Sequence, residues 1–123
     1  MKGTTTLELP RTAECAGIAR LIVTAHGSSL SSDRLNNANV MVSELVSNAY
    51  QHGEGRIQLL VESGPEGVRA EVHDEGLGKI ETPEPRPARG GWGLTFVDRL
   101  ADAWGVAEGS RVWFEVGSVP ASV

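Results

Sequence analysis

Residues 4–9, Thr-Thr-Thr-Leu-Glu-Leu, alternate apolar with polar side chains and are rich in β-branched residues, which predicts a short first strand ended by Pro10. The period then changes. From Arg11 to about His26, Cys15, Ile18, Ala19, Ile22 and Val23 recur at helical spacing, and Gly27 supplies a stop. In the polar break that follows, Ser31, Ser32 or Asp33 can cap a second helix by accepting from its free backbone N–H groups. That helix is predicted from about Asp33 to Gln51, with Leu35, Ala38, Val42, Leu45, Val46 and Ala49 on one stripe. Gly53, just after His52, has the chemistry of a left-handed C-terminal cap.

Two strand-like runs come next, residues 55–63 and 67–74, joined by the hairpin turn Gly64-Pro65-Glu66-Gly67, so they should pair antiparallel. Between Glu75 and Gly91 the chain carries prolines at 83, 85 and 87 and several glycines, so neither helix nor strand persists, and a loop this long in a compact domain is usually functional. Residues 94–103 are again helical, with Leu94, Val97 and Leu100 on one face. Two last strands, around Trp104–Ala107 and Arg111–Val116, are joined by Glu108-Gly109-Ser110. Consecutive hairpins plus three helices that must share one face predict an α+β two-layer sandwich. Its sheet should be mixed, mainly antiparallel, with about four or five strands, and the alternating parallel α/β arrangement does not fit.

Composition narrows the function. A chain of 123 residues, 40% apolar and 22% charged, makes one globular domain, residues 1–123, and no fibre or disordered tail. Its formal charge of −5 gives no general attraction to a phosphate backbone, so direct nucleic-acid binding is not expected. Cys15 is the only cysteine, which leaves no intrachain disulfide and no cysteine-based zinc site. With no apolar leader-like or membrane-spanning run, the expected location is the cytoplasm, away from the membrane.

Three segments carry candidate chemistry. Glu44, Asn48 and His52 fall at i, i+4 and i+8 on the second helix, along one ridge beside the apolar stripe. There a carboxylate can activate a hydroxyl and an amide oxygen can hold a divalent cation. Asp74-Glu75-Gly76-Leu77-Gly78 places a fixed acceptor at a strand end, beside two glycines that let backbone come close to a planar ligand. Gly90-Gly91-Trp92-Gly93-Leu94 opens the third helix, whose free N–H groups and positive dipole end favour a phosphate. Taken singly each is an ordinary helix edge, turn or hinge, and neither glycine loop completes a Walker A or Gly-x-Gly-x-x-Gly pattern.

Taken in order, Glu-x-x-x-Asn on a helix, Asp-x-Gly-x-Gly after a strand and Gly-x-Gly-Leu at a helix start resemble the ATP-binding fold shared by gyrase, histidine kinases and heat-shock chaperones, the GHKL superfamily. The resemblance covers nearly the whole chain. Within that group the Leu-Pro start, SELVSNAYQHG, the short Pro-rich lid, GWGLTFVDRLADAWGV and the VWFE end are most similar to the stand-alone anti-sigma-factor serine kinases. The resemblance implies that Asn48 holds a Mg2+ ion bridging the phosphates of ATP, and that Glu44 is the general base for the acceptor hydroxyl. It further implies that Asp74 accepts from the adenine amine, and that Gly76 and Gly78 let the backbone approach the base. Gly91, Gly93 and Leu94 would set the lid and the phosphate-facing helix start. Lys79, Arg86 and Arg89 lie in the lid, within reach of a phosphate, and His52 borders the site. The family's Thr shortly before the last strand is absent here. Gly109-Ser110-Arg111-Val112 stands in its place, so Arg111 or, in part, Ser110 replaces it. His26 and His73 make no metal-site spacing with His52 and read as structural.

The function implied is an ATP-dependent serine/threonine protein kinase in transcription regulation. It would sequester a sigma factor and phosphorylate an anti-anti-sigma partner of the STAS type, and the resemblance also allows a homodimer. Retention of Glu44 and Asn48 favours this reading, whereas the altered Ser110-Arg111 stretch favours a nucleotide-dependent switch that holds a partner without phosphorylating it. A detached catalytic half of a histidine kinase fits less well, because no dimerisation helix with a phosphoacceptor His is expected before residue 4 and the lid is short.

Overall fold

The computed structural model describes residues 3–76, 92–107 and 110–118, with the backbone alone for 92–94. In chain order its elements are β1 (Gly3–Leu9), α1 (Cys15–His26), α2 (Ser32–His52), β2 (Ile57–Gly64), β3 (Gly67–His73), α3 (Trp92–Leu100), β4 (Ala103–Ala107) and β5 (Arg111–Gly117). The strands form one sheet in the order β1-β2-β3-β5-β4. Every pairing among the described residues is antiparallel, so the five-stranded sheet, expected to be mainly antiparallel with some mixing, shows no parallel pair among them. The α+β architecture stands, and the last hairpin enters the sheet with β5 inward, beside β3.

The sheet's two faces divide by residue parity, as the two-residue period of a strand requires. Leu59, Val61, Val68, Val72, Phe114 and Val116 point to the helix side and are buried there. α1 adds Cys15, Ala19 and Val23 to this core, α2 adds Ala38, Met41, Val42, Leu45, Val46 and Ala49, and α3 adds Val97. Burial pushes the Cys15 thiol above its ordinary pKa, which leaves it a packing residue. The opposite face stays open and charged: Glu71 pairs with Arg111 at 2.9 Å and Arg69 at 3.1 Å, and the Arg69 guanidinium lies 4.9 Å from the centre of the Trp113 ring.

Local chemistry sets the element ends. The Ser31 hydroxyl accepts from the Arg34 N–H at 3.2 Å and caps α2. Gly53, expected to be left-handed, is instead extended with φ −85° and ψ −173°. The last carbonyls of α2 are met by the Arg11 side chain, and Arg11 lies outside α1, which begins four residues later than its period suggests. β2 begins at Ile57 because Gly55, with φ +70°, turns the chain before it. Gly67, with φ +140°, ends the two-residue turn between β2 and β3.

Two side-chain networks tie the layers together. Arg34 on α2 forms an ion pair with Asp102 and donates to the Gly117 carbonyl at 2.6 Å, while the Gly117 N–H donates to Asp102 at 2.6 Å. Burial raises the Asp102 carboxyl, but the Gly117 N–H and the Arg34 guanidinium outweigh it and hold the group below its ordinary value. His26 lies between the Thr5 hydroxyl at 2.8 Å and the Ser63 hydroxyl at 2.7 Å, joining the end of α1 to β1 and β2. No helix among the described residues is long and apolar enough to cross a membrane.

Candidate functional site

α2 builds one wall. Its flank bearing Asn39 and Ser43 faces α1, where Asn39 donates to the Thr24 hydroxyl at 3.1 Å and Arg20 donates to the Ser43 hydroxyl at 2.9 Å. At about 100° per residue, Glu44 and Asn48 fall one turn apart on the other flank, half-buried. α2 also packs against α3, so this flank lies on the α3 side of the helix layer. His52, the last residue of α2, is exposed at the edge.

The opposite wall is the chain just past β3. Asp74 is 4% exposed, and its carboxylate Oδ1 accepts from the Gly76 N–H at 2.6 Å. A Cβ on Gly53 would stand 2.6 Å from the Asp74 carboxyl carbon, so the glycine at the end of α2 is what lets helix and carboxylate meet. The two segments are also joined through the backbone, since the Glu75 N–H donates to the Glu54 carbonyl at 2.8 Å. The Glu75 carboxylate covers Gly55 and accepts from the Arg56 N–H at 3.1 Å.

Ser110 closes the floor. It is 5% exposed, its hydroxyl donates to the Asp74 carbonyl at 3.0 Å, and its own carbonyl accepts from the Asp74 N–H at 3.3 Å. Of the two residues left open at the missing threonine, Ser110 is therefore the one that meets Asp74. Arg111 turns to the open sheet face and pairs with Glu71. Gly93 and Leu94 lie in the first turn of α3. Gly78, Lys79, Arg86, Arg89 and Gly91 lie outside the described residues, as does the whole of the proposed lid, residues 79–91.

A half-buried carboxylate and amide on one helix flank lead, through a glycine turn, to a buried acceptor at a strand end. A family model for the histidine kinase-like ATPase domain matches residues 9–115, a span that takes in all of these positions. The chain belongs to that family. A search of curated proteins finds no match. Among solved structures, this ATPase domain is similar to the crystal structure of the RsbU and RsbW domains of Rv1364c from Mycobacterium tuberculosis, with TM-score 0.63 and 19% identity. The likeness covers 93% of this chain and 31% of that one, so the ATPase domain spans about a third of its solved neighbour and shares its fold.

The donor set suits the group the family implies. The Asn48 amide offers an oxygen donor of the kind a hard cation takes, and a single protein oxygen is in keeping with Mg2+, which keeps several waters and phosphate oxygens. Among the described residues no cluster of three or more His, Cys, Asp or Glu could hold a metal by protein ligands alone. The buried Asp74 carboxylate, walled by Gly53 and Gly76, is a cradle that a Cβ would fill. Two parts of this site escape sequence reading. Glu75 works as a clamp on residues 55 and 56, and Arg11 binds the end of α2. Their partners stand 19 to 44 residues away, so no local pattern marks either residue.

Proposed function

We propose that this ATPase domain is an ATP-dependent serine/threonine protein kinase of the anti-sigma type, which phosphorylates an anti-anti-sigma partner and binds a sigma factor. The observation that carries the proposal is that one helix presents Glu44 and Asn48 a turn apart while its C-terminal end touches Asp74. A nucleotide held by its base at Asp74 would extend its phosphates along α2 toward Asn48, which leaves Glu44 to meet an incoming hydroxyl. Asp74 accepts from the exocyclic amine of adenine, and Gly76 keeps the wall low enough for the ring. Asn48 would hold Mg2+ through its amide oxygen, where the ion would supply positive charge beside the phosphates. The first turn of α3, which includes Gly93 and Leu94, would offer free N–H groups to an anion. Glu44 takes the proton from the serine hydroxyl as that oxygen attacks the γ-phosphate, and ADP leaves with the displaced oxygen.

The test is transfer of radiolabelled phosphate from ATP to an anti-anti-sigma protein, beside calorimetric titration with Mg-ATP. Glu44→Ala is expected to bind ATP as wild type does and to lose roughly 10²–10⁴ in transfer rate. Asn48→Ala should lose the Mg2+-dependent part of its ATP affinity. Unchanged transfer by the Glu44 variant would assign the base elsewhere. Binding without transfer in wild type would favour a nucleotide-dependent switch, and no binding at all would remove both readings.

A further inference from the structure

Among the described residues, the Arg11 side chain ties the end of α2 to the turn before β2, and the three bonds it makes are all to backbone. Its Nη2 donates to the Ala49 carbonyl at 3.0 Å, its Nη1 to the Tyr50 carbonyl at 2.7 Å and its Nε to the Gly55 carbonyl at 2.8 Å. The first two acceptors are carbonyls of the last turn of α2, where a cation also meets the negative end of the helix dipole. The third belongs to the turn that carries the chain into β2. A planar guanidinium with fixed donors holds these three oxygens in one arrangement, which a flexible ammonium does less well.

What Arg11 holds is the register between two parts of the site. Ala49 follows Asn48 directly, and its carbonyl also accepts from the Gly53 N–H at 3.0 Å. Gly53 is the residue against which the Asp74 carboxylate rests, and the turn it opens is bonded to Glu75 through Glu54 and Arg56. A shift of residues 53–56 relative to α2 would therefore move Asp74 relative to Asn48. In place of the left-handed glycine that commonly closes a helix, this chain uses an arginine from beyond β1, and that cap reaches into the site's geometry.

We infer that Arg11 is a positioning residue for the nucleotide base: it fixes the helix-end turn that places Asp74 and so sets the preference for adenine. The inference rests on the nucleotide site proposed above. It predicts a specific loss, of base discrimination, and a residue that only stabilised the fold would lower the melting temperature without changing that discrimination.

The experiment is calorimetric titration of wild type, Arg11→Ala and Arg11→Lys with Mg-ATP and Mg-ITP, with a thermal melt of each. ITP carries a carbonyl where ATP carries the exocyclic amine, so at that position Asp74 loses its donor and faces an acceptor instead. Wild type should prefer ATP. In Arg11→Ala the affinity for ATP should fall about tenfold, the scale of one weakened bond to a charged acceptor, with little change for ITP. Arg11→Lys, the milder change, should fold in any case and recover part of the preference. An ATP to ITP ratio equal to that of wild type in both variants would overturn the role given to Arg11. Wild type that binds ATP no better than ITP would instead overturn the assignment of Asp74, and wild type that binds neither would overturn the nucleotide site itself.

Discussion

Replacing Gly53 by alanine probes the base side of the site by steric means alone. The backbone there, at φ −85° and ψ −173°, is open to any residue, so the substitution brings no conformational strain of its own. The new Cβ would stand 2.6 Å from the Asp74 carboxyl carbon and 2.7 Å from the Ala49 carbonyl oxygen. Ordinary carbon contacts lie near about 3.5–4.0 Å, so about 1 Å of relief is needed. The Ala49 oxygen has little room to give, because it already accepts from the Gly53 N–H and from Arg11, each at 3.0 Å. The Asp74 carboxylate is the part that must move, and its bond to the Gly76 N–H moves with it. Overpacking of this kind costs about 1–3 kcal/mol of stability. A hydrogen bond to a charged acceptor contributes about 1.5–3 kcal/mol, so ATP affinity should fall roughly 10- to 100-fold. Titration of Gly53→Ala with Mg-ATP and Mg-ITP, with a thermal melt in parallel, reads both effects. ATP should lose most of its advantage over ITP and the midpoint should drop. Unchanged ATP affinity with an unchanged midpoint would refute the confinement of Asp74 by the end of α2.

Ser110→Ala removes the donor to the buried Asp74 carbonyl and should cost about 1–3 kcal/mol in urea unfolding, whereas Ser110→Thr keeps the hydroxyl and most of the stability. Equal stability of the alanine variant would show that the bond contributes nothing. Because the Asp102 carboxyl is held low in the folded chain, its contribution is present above its unfolded value, about 3.9, and is lost as pH falls through the folded value. The stability gap between wild type and Asp102→Asn should therefore close on acidification below about pH 4, as read by melts across pH, and a gap that widens would reverse the sign of the argument.

The helices and strands were legible because each has one strong period. The stripe from Leu35 to Ala49 has only one way to be buried, and Ser31 marks where it starts. Asp74 was legible as a strand-end acceptor because the hairpin at Gly64–Gly67 fixes where β3 must run. Strand order was less accessible. That β5 pairs with β3 and leaves β4 outermost depends on which edge of the hairpin joins the sheet, and both strands carry similar apolar residues. The end of α2 was misread for a related reason. A glycine after a helix fits a left-handed cap, but an arginine 38 residues before Ala49 donates to the helix-end carbonyls and leaves Gly53 free to be extended against Asp74. The choice between Ser110 and Arg111 turned on strand parity, which sends adjacent residues to opposite faces and could be counted only once β5 was in register.

The strand order has a consequence for how the molecule forms. Two hairpins, β2-β3 and β4-β5, are local, but the pairing that joins them sets Gly67 opposite Gly117, and the β1-β2 pairing spans both α1 and α2. Contacts between such distant parts of a chain close late and make folding slow compared with a helical bundle of the same length. Asp74 lies past the end of one hairpin and Ser110 in the connection of the other, just before β5, so the floor of the site exists only after the two have docked. A nucleotide that needs this floor recognises the assembled sheet and gains nothing from either half. It would then act as a brake on unfolding of the whole chain, stabilising it by an amount that grows with the logarithm of nucleotide concentration.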